Sequence, residues 1–220
     1  LSLWLSRSIT RPSHQPMDIK KVTQHPLQMV LKDPFFPIYI GLSCISPIMM
    51  TATLYFQMYI FSTHSWAISG IGQAMFFYAL FKLIFTLGIG PLIDKIGCLI
   101  PIFLINAIIG VATLCISMPG PLYLGFLSYA FFGMSLGASA STMSYMWARL
   151  YGHQHIGEIK GGIAIIRNGA TAIAPIGFSI FIYQWNIPFQ SVFLWCAIGI
   201  IGFSTTALFI HRFDPRLTPG

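Results

Sequence analysis

The sequence is poor in charge. Of 220 residues only 12 are Lys or Arg and 5 are Asp or Glu, 8% together, where a soluble globular domain carries about a quarter. Against that stand 55% hydrophobic residues, 15% aromatics and a mean hydropathy of +0.75. A water-facing surface cannot be built from this balance, and the same figures exclude disorder, collagen and a coiled coil. The cysteines Cys44, Cys98, Cys115 and Cys196 form no C-x-x-C pair and lie in or beside apolar stretches. They read as small packing residues, not disulfides or metal ligands. His153-Gln154-His155 lacks the supporting Cys or acid that a metal site needs. There is no phosphate-cradling loop, nucleophile elbow, metal-protease helix or carboxylate pair, so neither an enzyme nor a cofactor is expected.

Lipid is the solvent that remains. Long apolar stretches, each near the 20 residues that cross a bilayer, are separated by short polar breaks. They run over residues 36–61, 66–90, 99–118, 121–147, 161–184 and 190–210. Continuous runs of this length predict helices, since barrel strands would be about ten residues with strict alternation. The fold class expected is therefore an all-α membrane protein, a six-helix transmembrane bundle.

Lys and Arg in the breaks set its orientation. One side holds Arg7, Arg11, Lys20, Lys21, Lys32, Lys95, Arg149, Lys160, Arg212 and Arg216; the loops at 62–65, 119–120 and 185–189 hold none. The basic side, with both chain ends, is expected to be cytoplasmic, in a plasma (inner) membrane. The net charge of +7 is then a topology signal, and nucleic acid is not an expected partner. Residues 1–34 read as the end of a preceding helix followed by a basic cytoplasmic loop, 35–210 as the bundle and 211–220 as a cytoplasmic tail. Within the loop, Met17–Lys32 mixes Ile19, Val22, Leu27 and Val30 with Lys20, Lys21 and Lys32, a pattern suited to the inner membrane surface.

Three breaks carry motifs. Gly90-Pro-Leu-Ile-Asp94-Lys95-Ile-Gly97-Cys98-Leu99 resembles the G-x-L-x-D-[RK]-x-G-[RK]-[RK] loop signature of the major facilitator superfamily, with its final basic pair replaced. In that family the signature lies between helices 2 and 3 and recurs, degraded, between helices 8 and 9. Tyr151-Gly152-His153-Gln154-His155-Ile-Gly157 resembles the helix 10–11 connection of the monocarboxylate and oxalate–formate-type branch. Ala174-Pro175-Ile-Gly177 fits the punctuation of helix 11 there, and Lys32-Asp33-Pro34-Phe35-Phe36 the start of helix 7.

The resemblance implies the C-terminal half, helices 7–12, of a twelve-helix secondary transporter working by alternating access. Its partners would be a small-molecule substrate, the lipid bilayer, and an N-terminal six-helix half or a second copy. A truncated or accessory protein that does not transport, or a transporter of cations or drugs, are the alternatives.

Physical reasons accompany these motifs. Gly90 and Gly97 would allow a tight turn against a neighbouring helix. Asp94, with Lys95 beside it, would accept hydrogen bonds or pair with a base and so latch one state; the plain alternative is a solvated turn. Gly133, Gly137 and Ser141 place small residues on one stripe, for static packing or for sliding contact. Pro47 and Pro175 each remove a mid-helix hydrogen bond, so a kink or local unwinding is expected at both.

Lys82 and Arg167 lie inside predicted helices, whereas Asp18, Asp33, Asp94, Glu158 and Asp214 all lie in loops or tails. A cation at a helix centre costs about 2.5–3.5 kcal/mol on insertion scales and is seldom idle. Lys82 stands about 18 Å before Asp94, and Arg167 about 10 Å beyond Lys160, at 1.5 Å per residue. Snorkelling, an acid from another half, and a bound anion could each neutralise them. In the oxalate–formate type, basic residues on helices 8 and 11 contact substrate carboxylates; Lys82 and Arg167 match by helix. Tyr78, Asn168 and Thr171, next to the cations, are the polar residues expected to join them. Gln57, Thr51, Gln73, Tyr129 and Tyr145 are further candidates for a cavity lining.

Overall fold

A computed structural model describes residues 30–152 and 156–213. The expected preceding helix end and basic loop, the amphipathic stretch up to Met29, the pair His153 and His155, and the tail from Asp214 lie outside the described residues.

Eight helices and no strand occur among the described residues: α1 Phe36–Tyr55, α2 Gln57–Thr63, α3 Gly70–Gly88, α4 Gly90–Ile96, α5 Leu99–Ser117, α6 Leu122–Tyr151, α7 Ile156–Ser179 and α8 Phe189–Phe213. A π-helical turn, Ile180–Gln184, extends α7. Five of these, α1, α3, α5, α6 and α7 with its π turn, are long and apolar enough to cross a membrane; Phe189–Thr205 of α8 is a shorter apolar stretch. The protein is an all-helical membrane bundle.

The helices sort into a row and a backing. α3 packs along α6, α6 meets α1, and α1 packs along α7, while α5 lies behind against α6, α1 and α8. The row's ends are the least covered. Only 11% of the α3 span and 17% of the α7 span are buried, against 50–56% for α1, α5 and α6. Apart from Lys82 and Arg167, charged residues gather at one end of the bundle, where Asp33, Asp94, Lys95, Arg149, Glu158 and Lys160 lie.

Two cores fill the interior. Towards the uncharged end, Phe61, Tyr129, Phe132, Phe189 and Phe193 pack with Ile60, Ile109 and Ile116. Towards the charged end, Phe36, Tyr39 and Leu42 pack with Ile102, Met146 and Trp147. Between them the Ser135 hydroxyl donates to the Ile105 carbonyl at 3.0 Å and lies 2.9 Å from the Ser46 hydroxyl. Ser135 has one proton and spends it on Ile105, so Ser46 donates to Ser135. One hydroxyl pair thereby ties α1, α6 and α5 at full burial. Ser135→Ala is expected to lower stability by about 1 kcal/mol, since such bonds in membranes average below 2. Thermal unfolding of the purified protein checks this, and an unchanged midpoint would show the link idle.

Several sequence expectations need correction. Neither proline unwinds its helix locally: α1 runs through Pro47 and α7 through Pro175. The irregularities come later, at Phe56 (φ −94°, ψ 9°) and in the π turn. Elsewhere a proline does act: Pro91 has no N–H for the Leu87 carbonyl, and α3 gives way to α4 there. Gly90 is not a tight turn. It starts α4, and a side chain added there would meet nothing within 4 Å. The turn belongs to Gly97, whose φ of 75° and ψ of −169° suit glycine alone. Gly152 repeats this at the end of α6, with φ 77° and ψ 176°. The fifth span begins at Ile156, five residues before the expected 161, and the fourth continues to Tyr151.

Candidate functional site

The small-residue stripe of α6 decides where Lys82 sits. A Cβ on Gly133 would overlap the Tyr78 carbonyl oxygen, and one on Gly137 would overlap that of Lys82. Backbone therefore touches backbone, and α3 is seated on α6 at the very residues that carry the candidate side chains. Thr86 fastens the same point, its hydroxyl lying 2.7 Å from the Lys82 carbonyl oxygen and 3.3 Å from that of Gly137. With its backbone pressed against α6, Lys82 turns its side chain outward, where it is exposed. Its ammonium donates to the Tyr78 hydroxyl at 3.4 Å and lies 5.5 Å from that ring's centre. Tyr78 thus shields the charge with a lone pair and an aromatic face without neutralising it.

Arg167 stands at the middle of α7 and is half-buried. Its guanidinium lies close enough to act electrostatically on the Cys44 thiol of α1. It forms no hydrogen bond with a described residue. Thr171 does not serve it directly, because its hydroxyl donates to the Arg167 backbone carbonyl at 2.8 Å. Asn168 is exposed beside it.

The two cations are not brought together. α3 lies against α6 and α7 against α1, so Lys82 and Arg167 occupy the two ends of the row with α6 and α1 between them. Both helices leave most of their surface uncovered. Among the described residues the one acid in a span is Glu158, in the first turn of α7, so at the depth of the two cations this arrangement can hold negative charge.

Other candidates fall elsewhere. Tyr129 has no exposure and packs edge-on to Phe61 and Phe132, its hydroxyl without a partner, so it belongs to the core and lines no cavity. Gln57 also turns an unpartnered oxygen, Oε1, inward. Gln73 and Tyr145 are exposed and Thr51 half-buried, with the Arg149 guanidinium 3.5 Å from the Tyr145 hydroxyl. Asp94 and Lys95 are exposed and make no hydrogen bond or ion pair with a described residue.

The acid that does bond is Asp33. One of its oxygens accepts from the Phe35 amide at 3.0 Å and the other from the Tyr151 hydroxyl at 3.3 Å, tying the start of α1 to the end of α6. Tyr151 in turn stacks on Trp147, 6.0 Å between centres and 13° between planes. The Asp-Pro pair opening α1 was visible in the sequence, but its partner 118 residues later carried no signal.

No curated protein matches the chain. The family model for the Major Facilitator Superfamily matches residues 5–219. With helical spans, a sided charge distribution and nearly the whole chain inside that match, the protein belongs to the Major Facilitator Superfamily.

Proposed function

We propose that this chain forms the helix 7–12 half of a secondary transporter that moves a small organic anion, such as a carboxylate, by alternating access. One observation carries the reading: two cations with no acidic partner among the described residues stand on the two least covered spans of the bundle. An uncompensated cation in a span is costly, and a bound anion removes that cost. Lys82 with Tyr78 would hold one side of the substrate and Arg167 with Asn168 the other. Thr171 retains only its acceptor capacity for this role. A second six-helix half would cover the open faces of α3 and α7 and complete the cavity. The exposed Asp94 and Lys95, beside the fixed turn at Gly97, would pair across to that half as a latch. The charged end would face the cytoplasm across a plasma (inner) membrane, in a symporter or antiporter close in kind to the monocarboxylate and oxalate–formate branch.

The test is uptake of labelled small carboxylates by cells or vesicles bearing the natively expressed protein. Lys82→Met with Arg167→Met is expected to cut flux at least tenfold while membrane insertion and elution profile stay unchanged. Undiminished flux would remove the anion site. Loss confined to cationic or drug-like cargo would favour an acid from the other half as the cations' partner. Blotting a C-terminal tag separates two ways of completing the cavity. A band near twice 24.5 kDa places both halves in one polypeptide, and a band near 24.5 kDa requires self-pairing.

A further inference from the structure

Two neighbouring helices of the row lose their regularity towards the uncharged end, and the two irregular points touch. α1 gives way to α2 at Phe56. α7 widens into the π turn Ile180–Gln184, where the Trp185 amide reaches back to the Ile180 carbonyl at 3.1 Å. Tyr183, inside that turn, sets its ring 6.3 Å from that of Phe56 and 6.1 Å from that of Tyr59, between centres. Phe56 is buried and Tyr183 exposed, so the Tyr183 ring lies over the α1–α2 joint from outside.

Beyond the joint the chain is clamped. Tyr59 of α2 meets Phe189, the first residue of α8, edge-on at 5.7 Å, and Phe189 meets His64 at 5.4 Å. His64 lies 2.9 Å from the Ile116 carbonyl oxygen and stacks on Trp66, whose indole donates to the Gly120 carbonyl. A line of rings thus fixes α2 to the start of α8 and to the α5–α6 turn. α5 and α6 run through their spans without such a joint. On the other side of the joints, α1 and α7 pack along one another, and Arg167 of α7 acts on Cys44 of α1.

A helix bends where its hydrogen-bond ladder is interrupted, and π turns recur at working positions of helices. Bending at one joint alone would pull Tyr183 off Phe56 and Tyr59 and shear α1 along α7. Bending at both together keeps the rings in contact and the two spans in register.

We propose that the Phe56 joint and the π turn are one coupled hinge, with Tyr183 as the coupling ring. About it the spans of α1 and α7 bend together against a clamped uncharged end. Arg167 keeps its setting beside α1 throughout that movement. The hinge belongs to this bundle alone and does not depend on what the protein carries.

Hydrogen–deuterium exchange of the natively expressed protein in lipid nanodiscs, read by mass spectrometry, provides the test. At alkaline pH each opening exchanges before it recloses, so the opening rate itself is read. α2 and residues 180–187 are expected to share one opening rate in the native protein. Tyr183→Ala should separate the two rates by about fivefold, whereas Tyr183→Phe, which keeps the ring, should leave them equal. Different rates in the native protein would overturn the proposal, and that comparison needs no variant. Rates that stay equal in Tyr183→Ala would overturn it as well.

Discussion

Gly137→Ala should lower the thermal midpoint of the purified protein by about 5–10 °C, whereas Gly169→Ala should leave it unchanged or raise it slightly. Both glycines lie in helices, so propensity alone favours alanine at both, by up to about 1 kcal/mol. Packing separates them. At Gly169 a new Cβ meets nothing within 4 Å; at Gly137 it overlaps the Lys82 carbonyl oxygen. The opponent there is backbone, which cannot change rotamer, so α3 must move away from α6. Overpacking a well-fitted contact costs about 1–3 kcal/mol, and the loss here extends along a whole helix pair. Gly133→Ala acts through Tyr78 in the same way, and the double variant should lose more than either. Equal midpoints for Gly137→Ala and Gly169→Ala would mean that α3 is not seated as described.

Trp66→Ala should cost about 3–5 kcal/mol, the range for removing a buried large aromatic side chain. Trp66 is only 7% exposed, and it clasps the uncharged end of the bundle. Its indole N–H donates to the Gly120 carbonyl at 2.8 Å, its face stacks on His64 at 4.4 Å, and Phe61 meets it edge-on at 5.3 Å. Gly125 of α6 is bare beneath the ring, where a Cβ would come within 2.8 Å of it. His64 completes the clasp, its Nε2 lying 2.9 Å from the Ile116 carbonyl oxygen. That carbonyl can only accept, so Nε2 carries the proton. The connection before α3 is thus pinned to the α5–α6 turn from two side chains. Trp66→Phe keeps the stacking and drops the hydrogen bond, so it should recover most of the midpoint. Identical midpoints for Trp66→Ala and the native protein in thermal unfolding would show that the clasp bears no load.

The spans were legible because lipid leaves composition no freedom: a crossing must be apolar for about 20 residues, and every break shows as a local loss of apolarity. What escaped was geometry set by partners. Local unwinding was one expectation at Pro47 and Pro175, yet both helices continue through them, whereas Pro91, read as part of a loop motif, ends α3. Gly90 and Gly97 look alike in sequence, and only backbone angles show that Gly97 alone makes the turn. Lys82 and Arg167 were visible as cations out of place. Their separation to the two ends of the row depends on which helix packs against which, and side-chain types within one helix do not encode that. Thr86 and the Asp33–Tyr151 tie were missed for the same reason. Tyr129 illustrates the converse, a polar residue in a span that turned out to fill the core.

That Lys82 and Arg167 lie deep in their spans, while the one acid in a described span, Glu158, stands in the first turn of α7, has an electrical consequence. If the bundle rocks, Lys82 and Arg167 travel through the membrane field, and each elementary charge carried across the full potential is worth about 2.3 kcal/mol per 100 mV. A loaded carrier whose anion cancels part of that charge feels the voltage weakly. The empty carrier on its way back feels it in full. On the proposed mechanism, membrane potential therefore acts mainly on the return stroke, setting how fast the transporter resets more than how fast it delivers.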